Sequence, residues 1–94
     1  MGQTVLLDSP LAILDRLIAF PTVSADSNLD LIAYAAEHLE ACGARVTVSG
    51  DRTGTKANLF ATLGPETSGG LVLSGHTDVV PVNAGEWTSD PFLL

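Results

Sequence analysis

The residues able to do chemistry concentrate in one stretch, Ser74-Gly75-His76-Thr77-Asp78-Val79-Val80-Pro81. A histidine and a carboxylate stand two positions apart there. In extended backbone, positions i and i+2 share a face, so His76 and Asp78 project together. An imidazole held by a carboxylate is a unit used for metal ligation and for base catalysis. The plain alternative is a turn pair with a local hydrogen bond, which is what most His-x-Asp pairs are. The context favours function, because imidazole and carboxylate groups seldom follow an apolar strand unless they are partnered.

The elements that must position this pair can be read on either side of it. Leu71-Val72-Leu73 after Gly69-Gly70 predicts a strand over 71–75, buried on both faces in the middle of an α/β sheet, with Pro81 ending the run. Ligand sites of such sheets lie at the carboxyl ends of their strands. Upstream, Ser9-Pro10 reads as an N-cap followed by proline at the first helical position, and Pro21 stops that helix near Phe20. Leu11, Ile13, Leu14, Leu17 and Ile18 form its apolar side.

Thr22 to Asp26 is a polar loop, and Ser27 with Asp30 approximates a capping box for a second helix that ends near Cys42 before Gly43. Leu29, Ile32, Ala35, Ala36, Leu39 and Cys42 make its apolar face. His38 falls on the polar side with Asp30, Glu37 and Glu40, which predicts a solvated residue and no ligand.

Arg45–Ser49 alternates as a half-buried strand, and Asn58–Leu63 is a second, ended by Gly64-Pro65. Their connection is too short for a parallel crossover, so they pair antiparallel. The expected fold is therefore α/β, with two amino-terminal helices and then a mixed sheet. Gly69-Gly70 is no phosphate cradle, since a strand and not a helix follows it. Trp87 and Phe92 either pack over the site or anchor their loop to the core.

Composition narrows the class. Of the 94 residues, 46% are apolar, enough for a core. Eleven acidic residues against four basic ones give a formal net charge of -7, which argues against nucleic acid and anionic membrane surfaces as partners. Cys42 is the only cysteine, so no internal disulfide forms, and it is expected in the core. The start of the chain has no basic, apolar signal pattern and no stretch long enough to span a bilayer, so a cytoplasmic protein is expected.

Ser74–Pro81, followed by Trp87-Thr88-Ser89-Asp90-Pro91-Phe92, resembles the first metal-site segment of the M20 metallopeptidase and deacylase family. Leu17–Ser24 and Lys56–Pro65 extend the likeness over essentially the whole chain. The resemblance implies a zinc-aminopeptidase-like catalytic domain that hydrolyses the amide of a small acylated amino acid, with two Zn²⁺ per complete site and cobalt as a possible substitute. It implies that His76 binds one metal. It also implies that Asp78 is the catalytic carboxylate that orients the His76 ring without ligating metal.

The family's bridging aspartate, its Glu-Glu pair and its last histidine have no counterpart in residues 1–94, nor does its lid and dimerisation domain. By resemblance the chain is thus the amino-terminal part of the catalytic domain, inactive alone, of a parent that is a homodimer. The alternative from another class is a non-catalytic α/β binding module holding at most one weak metal.

Overall fold

The computed structural model describes residues 9–94. In chain order it contains helix α1 (Pro10–Ala19), helix α2 (Leu29–Ala41), strands β1 (Arg45–Gly50) and β2 (Ala57–Thr62), and a 3-10 turn at Ala84–Glu86. The start of α1 follows from its cap, where the Ser9 hydroxyl accepts from the Ala12 N–H at 3.1 Å and Pro10 opens the first turn. The end of α2 is a Schellman motif. Gly43 donates to Glu40 O at 2.9 Å and Ala44 to Leu39 O at 3.0 Å, with Gly43 at φ +93°.

The start of α2 differs from the predicted capping box. Ser27 accepts from the Leu29 N–H at 3.2 Å, but the N-cap position belongs to Asn28, whose side chain makes no cap bond. That amide is engaged elsewhere. Its Oδ1 accepts from the Ala57 N–H and its Nδ2 donates to the Ala57 carbonyl, both at 2.9 Å. Asn28 thereby ties the first turn of α2 to the first residue of β2.

β1 and β2 pair antiparallel in the register Val46↔Ala61, Val48↔Leu59, Gly50↔Ala57. Opposite residues share a face, so Ala57, Leu59 and Ala61 turn toward α2 while Asn58 and Phe60 point outward. The core is small. Leu31, Ile32 and Ala57 are buried, with Leu17, Phe20 and Leu59 packed against them. Tyr34 joins its edge beside Phe20, with the Arg16 guanidinium 5.1 Å from its ring centroid.

Four expectations are corrected. The 71–75 segment is not a strand, and Leu71, Val72 and Leu73 are 79–88% exposed. Its composition suits burial between two neighbours, and the described residues place no strand on either side of it. Among the described residues the mixed sheet is accordingly a two-stranded antiparallel sheet, and their parallel pairing is confined to one bridge, Val23↔Val79. Cys42 is exposed, at the C-cap position of α2 and past the last helical residue. His38 is half-buried, its ring centroid 6.1 Å from that of Tyr34 one turn earlier on the helix.

Candidate functional site

Two distant segments, 22–24 and 77–79, are clasped side by side, and this clasp builds the site. Val79 donates its N–H to Thr22 O at 3.0 Å, and Ser24 donates its N–H to Val79 O at 2.9 Å. The hydroxyl of Thr22, itself buried, donates to Thr77 O at 2.6 Å. The backbone around Asp78 is therefore fixed on both sides by the loop that follows α1.

On this frame the structure brings His76 and Asp78 together. His76 Nδ1 lies 3.1 Å from Asp78 Oδ1 and 3.0 Å from the Asp78 carbonyl oxygen. Both neighbours are acceptors, so Nδ1 carries a proton and donates it, and in the neutral ring the lone pair then sits on Nε2. The imidazole side chain is 84% exposed. The shared face of an i, i+2 pair is realised here even though no strand leads into it.

The other oxygen of Asp78 is held as well. Ser24 Oγ donates to Oδ2 at 2.9 Å and lies 3.1 Å from the Val79 carbonyl. The Ser24 hydroxyl foremost, and then the neighbouring His76 ring, hold the Asp78 carboxyl below the usual carboxylate range. Ser24 is in turn fixed by Lys56, whose ammonium donates to Ser24 O at 2.6 Å and to Asp26 O. A connected path thus runs from Lys56 through Ser24 and Asp78 to His76.

A cleft opens beside the pair. Its floor includes Ile32, Ala35 and Leu59, and its rim carries Lys56, Asp51 and His76. Trp87 and Phe92 do not line it, and Trp87 is half exposed. Of the two sequence alternatives for these aromatics, packing over the site is not the one seen. Among the described residues no group of three or more His, Cys, Asp or Glu side chains gathers to hold a metal ion, and His38 stands apart on α2.

Ser24 and Lys56 are the contributors that residue-by-residue reading missed. Their bonds to the site span 54 and 32 positions of sequence, so no local pattern marks them. The only signal is that Thr22–Ser24 and Lys56 both fall inside the stretches that resemble the M20 family.

Known proteins similar to this chain are acetylornithine deacetylases. That of Proteus mirabilis (strain HI4320) is 46% identical over 86 residues, covering 84% of this chain and 22% of the relative. That of Edwardsiella ictaluri (strain 93-146) is 44% identical over 95 residues, covering 94% and 24%. That of Shigella sonnei (strain Ss046) is 44% identical over 85 residues, covering 83% and 22%. The chain thus spans less than a quarter of the length of these curated relatives. No family model matches it, and no solved structure does.

Proposed function

We propose that a chain so similar to the acetylornithine deacetylases is the part of such a hydrolase that supplies one metal ligand, His76, and its orienting carboxylate, Asp78. The parent protein would cleave the amide of N-acetylornithine with water, giving ornithine and acetate. The observation that carries this reading is the polarity of the His76 ring, with Nδ1 engaged by Asp78 and Nε2 left unhindered toward solvent. Neutral imidazole with its second nitrogen bonded to a carboxylate suits a borderline cation such as Zn²⁺.

The fit is that of one ligand and not of a whole site. The remaining protein ligands and the general base would come from the three quarters of the relatives' length that these residues do not span. A divalent ion held there supplies Lewis acidity for hydrolysis of the amide. The residues in hand have narrower tasks. His76 presents Nε2, Asp78 keeps the proton on Nδ1, and the clasp between 22–24 and 77–79 holds both in place. Zn²⁺ is the proposed ion, with cobalt as a substitute, and the fold would be a portion of a zinc-aminopeptidase-like domain.

The test uses the full-length protein containing this sequence. His76→Ala should remove one metal per site and nearly all release of ornithine, read by metal analysis and steady-state kinetics. Unchanged metal content and turnover would overturn the reading. Parallel assays with N-succinyl-diaminopimelate separate acetylornithine cleavage from that of the desuccinylases, which share the run His76–Pro81. The 94-residue chain alone should release no ornithine with added zinc or cobalt. If it does, and His76→Ala abolishes it, the claim that the chain is insufficient fails.

A further inference from the structure

Asp78 is a poor clamp by itself. Its side chain is half exposed, and rotation about the bond to its carboxylate is soft and roughly two-fold. Nothing in the dipeptide decides which oxygen faces His76. Ser24 supplies that decision. Its hydroxyl engages Oδ2 at 2.9 Å, which leaves Oδ1 for His76 Nδ1 at 3.1 Å. Ser24 is placed from both ends, its N–H on the Val79 carbonyl at 2.9 Å and its own carbonyl under the Lys56 ammonium at 2.6 Å.

We propose that Ser24 is a positioning residue for His76, acting through Asp78 and anchored by Lys56, and that its task is to keep the imidazole proton on Nδ1. Only in that tautomer is Nε2 a lone-pair donor. A neutral imidazole in water prefers the proton on Nε2, so the site has to work against the ring's own preference. Without the Ser24 hydroxyl, Asp78 turns toward solvent. The His76 Nδ1–H then keeps only the Asp78 carbonyl, and the ring relaxes toward the other tautomer. The purpose of this arrangement rests on the reading of His76 as a ligand, but the tautomer itself is measurable without any metal.

The chain has two histidines, which makes the measurement direct. Ring ¹⁵N shifts report the Nδ1–H to Nε2–H ratio of each, at about pH 8 where imidazole is neutral. His38, one turn from Tyr34 and outside the path, is an internal control. The wild-type chain should show His76 mainly as Nδ1–H. Ser24→Ala and Ser24→Cys should lower that ratio about threefold to tenfold, the worth of roughly one net hydrogen bond. Ser24→Thr, which keeps the hydroxyl, should restore it. Lys56→Met should shift it the same way by less, and Lys56→Arg should hold it.

A Ser24 that merely shapes its loop would disturb the amide signals of residues 22–26 and leave the His76 ring at its wild-type ratio. That result in both Ser24→Ala and Ser24→Cys overturns the proposal. The functional reading is tested apart from this, by metal analysis of the full-length protein and its His76→Ala variant. Its failure there would leave the tautomer result standing.

Discussion

Replacing Asn28 with alanine should cost this fold more than its half-buried position suggests. The side chain satisfies both backbone groups of Ala57 at 2.9 Å, and Ala57 is only 6% exposed. Removing the amide strands a buried N–H and a buried C=O together. Each lost bond is worth about 1 kcal/mol net, with a further penalty for a group left unpaired. The expected loss is about 2–3 kcal/mol. Asn28→Asp separates the two halves of the interaction. A carboxylate still accepts from the Ala57 N–H but meets the Ala57 carbonyl with a like partial charge, so it should recover no more than about half of the loss.

Hydrogen exchange at the Ala57 amide is the sharpest assay, since that proton is donated to the Asn28 side chain. Urea denaturation followed by helical circular dichroism gives the global value. Wild-type protection at Ala57 in Asn28→Ala, with a stability change under about 0.5 kcal/mol, would refute the reasoning.

Three other outcomes are expected. Gly43→Ala should destabilise by about 1 kcal/mol in denaturant titration, because φ is +93° and no atom lies within 4 Å of the added Cβ, so the cost is conformational alone. In the turn between the strands, the Thr53 hydroxyl foremost, and then backbone N–H groups including that of Lys56, hold Asp51 below its ordinary range. A depressed carboxylate contributes stability above its unfolded pKa and loses it as pH falls through the folded one. Wild-type stability should therefore decline with acidification below about pH 4, and a pH series of denaturation midpoints should show a shallower decline in Asp51→Asn. In the full-length protein, Asp78→Asn should leave circular dichroism unchanged and weaken metal affinity about ten- to a hundredfold, which equilibrium dialysis against zinc would read.

What could be read from sequence was what short-range chemistry decides. Ser9-Pro10 starts α1, Gly43 ends α2, and the short link at Asp51–Lys56 forces β1 and β2 antiparallel. The His76–Asp78 pair came through because a period of two needs only local extension, which the clasp provides. Leu71–Leu73 was read as buried because apolar composition records what surroundings a segment suits, and the described residues supply none. Cys42 was placed in the core by helical periodicity, which carries no information about where the helix ends relative to the sheet. Asn28 could not be recognised as the brace of β2. Its partner is 29 positions away, and a polar residue before a helix reads first as a cap. No membrane-crossing helix is seen among the described residues, none being long and apolar enough.

The clasp between Thr22–Ser24 and Thr77–Val79 also has a meaning in time. It joins residues 54 to 57 positions apart, whereas α1, α2 and the β1–β2 hairpin each close over short stretches of chain. Closing so long a loop carries an entropic cost that grows with its length, and long-range pairings of this kind form slowly. The helices and the hairpin can be in place while residues 76–79 are still unattached. The backbone frame of His76 and Asp78 thus depends on a closure that the rest of the secondary structure does not need.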